Sequence, residues 1–272
     1  MRGMDLAEVV EATEANLMFE ITKVAEPVRQ RMGISGRRFG RGVAVSVRND
    51  PSGFWSRAQG FGFDKPVTGE LISEVLAFFR SEGTEVVNFQ LAPEVLPDDW
   101  AGICRSHGLT EGPTLVKLAR DAGPAEQPPT TLRIGPIKPA DRAAWAAVQI
   151  EAFGFPDDDG RIAEMLATIN DLPEVTGYAA WDGDKLVATA ALYVGGKVGQ
   201  FVSAATLPEY RGRGAQSALL ARRVEDAFAA GCRWIAADTG KPGDGEQNPS
   251  LNNLLRAGFK VLYDRPVWVW RH

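Results

Sequence analysis

The second half of the chain switches between short runs of apolar or alternating residues and longer stretches in which apolar residues recur every three to four positions. The short runs predict strands and the longer stretches predict amphipathic helices. The predicted strands cover residues 132–134, 177–181, 186–194, 198–206, 234–237 and 261–270. The predicted helices cover residues 162–169, 214–230 and 250–257, with a further one opening at 139–141, with Asp141 as its N-cap, and running to 153.

Residues 234–237, Trp-Ile-Ala-Ala, are apolar on both faces, which is typical of a central strand. Two strands joined by a helical crossover lie parallel, so we expect 234–237 to pair with 198–206 across the helix 214–230. The Asp182-Gly183 turn between two apolar runs predicts an antiparallel hairpin. The pattern therefore predicts a mixed sheet flanked by helices, which is an α/β (mixed α+β) fold.

The first half repeats the end of this layout, with a helix over 71–81, a strand over 86–89 and a second helix ending at Gly108. Gly83, Gly108 and Arg120 recur as Gly231, Gly258 and Arg271, after near-constant spacings of 148 to 151 residues. This favours two copies of one fold, although chance spacing of helix-ending glycines remains an alternative. The proline-rich segment 121–131 predicts a linker between a domain at 1–120 and a domain at 132–272.

Composition narrows the functional classes. The 272 residues are 44% hydrophobic and 24% charged with a net charge of −5, and no basic run suggests a nucleic-acid partner. The acidic first twenty residues predict no signal peptide, and no apolar run approaches the roughly 18 residues of a membrane span. Cys104 and Cys232 predict buried thiols, so we expect a cytoplasmic protein. Two histidines argue against a Ser-His-Asp site or a histidine zinc site, and we expect no metal.

The most informative segment is 206–220, in which a strand ends, glycines break the regular structure and a helix begins at once. Free N–H groups at a helix start attract anions, and Gly212 and Gly214 would let a diphosphate approach the backbone. Arg211 and Arg213 could add charge-assisted hydrogen bonds. No Gly-Lys-Ser/Thr follows, and the spacing does not fit a dinucleotide fingerprint. The alternative is a turn that simply requires glycine.

Arg211-x-x-Gly214-x-Gln216 resembles the Arg/Gln-x-x-Gly-x-Gly/Ala signature of the GNAT superfamily of N-acetyltransferases, and 250–259, ending in Gly258-Phe259, is similar to its second motif. The resemblance covers about 132–271 and implies tandem GNAT-like domains, the first a degenerate copy. Each would have a mixed, mostly antiparallel sheet flanked by helices, with a splayed parallel pair. Acetyl-CoA would be the cosubstrate. The implied cofactor-binding residues are Ala204, Ala205, Thr206, Arg211, Gly212, Arg213, Gly214, Ala215, Gln216, Ser217, Asn248 and Asn253.

Two positions depart from the family pattern. Gln216 replaces the usual glycine or alanine, and Leu254 stands where many members carry a tyrosine that protonates the leaving thiolate. Catalytic residues therefore stay open. The candidates are Glu151, Asp238 and Tyr193, followed by Asp157, Asp158 and Asp159 as bases and Tyr178 and Tyr263 as acids. An acidic loop at 157–159 suits a cationic amine, but it is also typical of a solvated turn.

We expect acetyl transfer to the amine of a small-molecule acceptor by a monomer or homodimer, without nucleic-acid or membrane partners. One alternative is an acyl-CoA-binding regulatory protein that does not catalyse. Another is a two-domain scaffold without a ligand.

Overall fold

The computed structural model describes residues 6–272, so the first five residues of the acidic N-terminal stretch lie outside it. The described chain forms two compact units, one of the residues up to Lys117 together with Leu262–His272, and one of Leu118–Val261. The C-terminal residues thus group with the first unit, whereas the sequence assigned them to the second domain. Their strand pairs with a strand of the first unit, with Val267 opposite Gln90 and Arg271 opposite Val86, and this long-range pairing is not visible in local sequence.

The first unit begins with two helices and continues with alternating strands and helices. Its elements are α1 (Leu6–Glu20), α2 (Glu26–Met32), β1 (Ile34–Phe39), β2 (Gly42–Val47), β3 (Arg57–Gln59), α3 (Gly69–Ser81), β4 (Val86–Gln90), α4 (Trp100–His107) and most of β5 (Leu109–Asp121). Helix α3 was predicted from residue 71 and begins earlier, because Thr68 accepts a hydrogen bond from the N–H of Leu71.

The second unit contains the predicted alternation of strands and helices. Its elements are the end of β5, β6 (Arg133–Pro136), α5 (Arg142–Phe153), α6 (Arg161–Ile169), β7 (Val175–Asp182), β8 (Lys185–Gly195), β9 (Val198–Thr206), α7 (Ala215–Ala229), β10 (Trp234–Gly240), α8 (Pro249–Arg256) and the start of β11 (Lys260–Arg271). Asp141 precedes α5 but does not cap it, since its carboxylate accepts the N–H of Lys138 instead. The predicted closing strands are one long strand, β11.

Sheet pairing in the second unit follows the prediction. Strand β7 pairs antiparallel with β6 and β8, and β8 pairs antiparallel with β9. Strands β9 and β10 are parallel, with helix α7 between them in the chain. In the first unit the corresponding pair is β3 and β4, which are also parallel.

Both halves have the same order of elements. Two helices, three strands, a helix, a strand, a helix and a strand run from α1 to β5 and again from α5 to β11. The repeated order agrees with the near-constant glycine spacing. No helix within residues 6–272 is both long and apolar enough to cross a membrane. Both cysteines are free and buried, as predicted.

Candidate functional site: a divergent strand pair and an uncapped helix start

The parallel pair β9–β10 is in register over four residues only, from Val198 opposite Trp234 to Phe201 opposite Ala237. Strand β9 continues to Thr206 without a further register partner on β10 in the described chain. Its register with β8 also shifts here, and Ser203 has a positive φ of 58°. A bulge of this kind re-aims the strand. The main-chain groups of Ala204, Ala205 and Thr206 therefore lie on the part of β9 that has left β10.

After β9 the chain makes a turn and enters α7. Gly212 and Gly214 have φ values of 77° and 81°, which lie in the left-handed region that favours glycine. Gly214 is the N-cap residue, and no side chain caps α7. The first N–H of α7 to bond within the helix is that of Ala218, which donates to the Gly214 carbonyl. The preceding N–H groups, from Ala215 to Ser217, thus supply a helix start suited to an anion.

The two signature arginines differ in what they contact. Arg213 forms a bidentate ion pair with Asp182 of the β7–β8 hairpin, with N–O distances of 2.7 and 3.0 Å. This hydrogen bond lowers the pKa of Asp182 and raises that of Arg213. The Arg213 guanidinium also lies over the Tyr210 ring. Arg211 is exposed and has no ion-pair partner among residues 6–272, so its guanidinium is available to a phosphate.

The second motif meets the first at the start of α8. The side-chain amide of Asn253 donates to Oε1 of Gln216 over 2.5 Å, and Ser250 lies within 3.4 Å of the Gln216 side-chain nitrogen. Asn248 has a different place. It caps α8 by accepting from Ser250 and Leu251, and its side-chain nitrogen donates to Thr239 and to the Gly240 carbonyl.

The acidic loop after α5 is largely used by the fold. Asp157 accepts the N–H groups of Ile162 and Ala163 at the start of α6, and Asp159 pairs with Arg161. These contacts favour the interpretation of the loop as a structural turn. Asp158 and Glu151 are exposed. Asp238 directly follows Ala237, the last residue of β10 in register with β9.

The tyrosine candidates are buried or engaged. Tyr178 donates a hydrogen bond to Asp226. Its pKa is raised, mainly because the hydroxyl is buried and secondly because of this bond. Tyr263 lies in the first unit, where it donates to Glu11, and burial and that carboxylate raise its pKa. Tyr193 is buried on β8 opposite Gln200. Leu254, which stands in the place of the family's tyrosine, is also buried. The hydroxyls of Tyr178 and Tyr263 donate to carboxylates outside the signature turn.

The comparisons with known proteins agree with this geometry. Residues 143–248 match the model of the acetyltransferase (GNAT) family. This segment therefore resembles a GNAT acetyltransferase domain. The match runs from α5 through the signature turn to the residue that caps α8. No curated protein matches the chain significantly.

Solved structures extend the GNAT fold to nearly the whole chain. A GCN5-related N-acetyltransferase from Kribbella flavida superposes with a TM-score of 0.68 at 16% identity, covering 98% of this chain and 96% of that one. A tandem GNAT protein from the clavulanic acid biosynthesis pathway gives 0.62 at 14% identity, covering 97% and 93%. A GCN5-related N-acetyltransferase from Sphaerobacter thermophilus gives 0.62 at 16%, covering 96% and 93%. The chain therefore has the tandem GNAT fold, as the sequence predicted.

Several residues around this GNAT site were not singled out from the sequence. Gln149 of α5 and Arg223 of α7 contact the bulge on β9, and Asp182 holds Arg213. For Gln149 and Arg223, the sequence offered only the fact that a polar residue lies in a predicted helix. Among residues 6–272 no cluster of three or more His, Cys, Asp or Glu side chains is placed to hold a metal ion.

Proposed function

We propose that the second unit binds acetyl-CoA and transfers its acetyl group to the amine of a small-molecule acceptor by direct attack. One observation carries the proposal: the GNAT signature turn leads from a strand that has left its parallel neighbour into a helix whose first N–H groups no side chain caps. The pyrophosphate would lie on residues 212–217 with Arg211 beside it, and the pantetheine arm would follow Ala204 to Thr206.

The chemistry requires a neutral amine and a polarised thioester carbonyl. An amine with a pKa of ~10.4 is mostly protonated at pH 7, and forming the neutral amine costs ~4.6 kcal/mol. A base or a desolvating pocket would reduce this cost. Glu151, Asp158 and Asp238 remain candidates for the base. A main-chain N–H near Ala204 would stabilise the oxygen that gains negative charge.

Two measurements test the proposal. Isothermal calorimetry with coenzyme A should give a 1:1 complex, and a thiol-release assay with acetyl-CoA over a panel of amines should show acceptor-dependent turnover. If calorimetry detects no binding of coenzyme A, the proposed cofactor site is contradicted. A thermal-shift screen of amines in the presence of acetyl-CoA would then identify the acceptor class.

A second candidate, an acyl-CoA-binding regulatory protein, is favoured by one observation. Leu254 is buried where many family members carry a proton-donating tyrosine, and Tyr178 and Tyr263 both donate to carboxylates. Coenzyme A binding without turnover of any amine would support this function over the first. For either function we propose a cytoplasmic monomer or homodimer without nucleic-acid or membrane partners.

A further inference from the structure

The peptide groups on either side of Ser203 are held by side chains from two helices and from strand β8. The Gln149 side-chain amide donates to the Ser203 carbonyl over 2.5 Å, and Thr189 Oγ1 donates to the same carbonyl over 3.2 Å. The Arg223 guanidinium donates to the carbonyls of Ala191, over 3.1 Å, and Val202, over 3.4 Å. Ala191 and Val202 form the last register pair before the bulge. The bulge is therefore fixed at both of its peptide bonds.

The two helices act from opposite faces of the sheet. The Tyr178 side chain contacts Asp226 of α7, so it lies on the α7 face of the sheet. Ala190, which lies directly opposite Tyr178 on β8, has its side chain on the same face. Thr189 precedes Ala190 and therefore points to the opposite face, where it meets Gln149 of α5. Gln149 and Arg223 thus approach the bulge from the two sides of β8 and β9.

Fixing these carbonyls also fixes two N–H groups. A peptide unit is planar and trans, so its N–H points opposite to its carbonyl. The Val202 carbonyl shares a peptide unit with the N–H of Ser203, and the Ser203 carbonyl shares one with the N–H of Ala204. Neither Ser203 nor Ala204 has a register partner on β8 or β10 in the described chain.

Arg223 is also a costly residue to bury. It is 1% exposed, its hydrogen bonds go to carbonyls, and no carboxylate among residues 6–272 pairs with it. It lies over the Phe201 ring at 4.2 Å, and burial lowers its pKa to about 9. A buried cation without an anion costs stability, and such costs are typical of functional sites.

We infer that Gln149 and Arg223 are positioning residues that clamp the β9 bulge from its two faces and so fix the N–H groups of Ser203 and Ala204, one of which donates to the thioester carbonyl. The inference rests on the proposed acetyl-CoA function. Gln149 sets the direction of the Ala204 N–H, and Arg223 sets that of the Ser203 N–H. The acyl carbonyl would then receive a donor that needs no reorganisation during the reaction.

The test uses the full chain with Gln149→Met and Arg223→Met, which keep side-chain volume and remove the donors. The matched controls are Arg142→Met on α5 and Arg222→Met on α7, whose ion pairs with Asp171 and Asp226 do not reach the bulge. In both clamp variants, the NMR order parameters of the Ser203 and Ala204 amides should fall without ligand, because the bulge is no longer held. Turnover should fall about 10- to 100-fold while the coenzyme A Kd changes less than about threefold.

Isotope-edited infrared spectra of bound acetyl-CoA, labelled with ¹³C at the acetyl carbonyl, give a readout that general destabilisation would not move. The wild type and both controls should shift the carbonyl stretch below that of free acetyl-CoA, and the clamp variants should lose part of the shift. If Arg223→Met does not fold, Arg223→Lys keeps the charge and a donor on a shorter, more flexible side chain, and should give an intermediate shift.

Order parameters, turnover and carbonyl stretch that equal those of the wild type in both variants would overturn the clamp while leaving the proposed function intact. A wild type that binds no coenzyme A would overturn the proposed function, and the clamp with it. The two failures are therefore distinguished by the wild-type calorimetry alone.

Discussion

Asn253 donates a hydrogen bond to Oε1 of Gln216 over 2.5 Å and so joins the two sequence motifs of the second unit. Gln216 lies in the first turn of α7 and Asn253 in the middle of α8, 37 residues later. Gln216 stands where the family pattern has glycine or alanine. Its side chain is therefore held beside the signature turn by a residue of the second motif.

This contact predicts coupled effects on coenzyme A binding. Gln216→Ala and Asn253→Ala should each weaken binding about three- to tenfold, because Asn253 orients the Gln216 amide and the hydrogen bond contributes about 1 kcal/mol. The double variant should bind no more weakly than the worse single variant. Calorimetry of the four proteins measures the coupling. Fully additive losses would mean that the two side chains act independently.

The two signature arginines should differ in their effect on the same affinity. Arg211→Ala removes a guanidinium with no ion-pair partner in the described chain, and should weaken coenzyme A binding about tenfold and reduce its salt dependence. Arg213→Ala is the matched control two residues away. It removes a guanidinium that is held by Asp182, so we expect a loss below about threefold. Equal losses in titrations at two salt concentrations would contradict this assignment.

The two glycines of the turn should separate stability from binding. A Cβ at Gly214 would lie 3.1 Å from the Pro129 carbonyl oxygen, whereas a Cβ at Gly212 would meet nothing within 4 Å. Both positions have positive φ, so each change to alanine should cost about 1–2 kcal/mol of stability. Gly214→Ala should cost more in thermal unfolding because the Pro129 contact adds to the strain. Gly212→Ala should mainly weaken coenzyme A binding, and similar losses of stability in the two variants would argue against this difference.

Much of the second unit was predictable because its signals are local. The apolar runs 198–206 and 234–237, the helix between them and the glycine turn all lie within about forty residues. The parallel pairing and the start of α7 follow from these segments alone. The position of Gln149 opposite Ser203 was not predictable, because the two residues are 54 positions apart and meet only through the packing of α5 on the sheet.

The first unit shows the opposite situation. From the acidic N-terminal stretch we predicted only that it is not a signal peptide, and we assigned no element to Leu6–Glu20, which is helix α1. In α1, Glu11 and Glu14 are buried because Arg265 reaches both carboxylates at 2.8 Å from more than 250 residues away. Lys117 also pairs with Glu14. A carboxylate is buried only when paired, and the partners come from the far end of the chain.

This buried ion cluster predicts acid sensitivity of the first unit. Burial opposes ionisation of Glu14, but Arg265 and Lys117 outweigh it and hold its pKa well below 4.5. A depressed folded-state pKa contributes stability above the ordinary value, and that contribution is lost as the pH falls through the folded value. Glu14→Gln should therefore destabilise the unit by about 3–5 kcal/mol at pH 7, since it leaves two buried cations with Glu11 as their remaining carboxylate in the cluster.

The difference between the wild type and Glu14→Gln should shrink as the pH falls below about 4.5, because the carboxylate is then protonated in the unfolded chain, and should vanish as the pH falls through the lower folded-state pKa. Native-state hydrogen exchange of the β4 amides follows this unit at each pH. The control is Glu8→Gln, six residues earlier on α1, whose carboxylate pairs with the exposed Arg41. That exposed pair should contribute less than about 1 kcal/mol. A difference for Glu14→Gln that stayed constant with pH would show that its charge is not what stabilises α1.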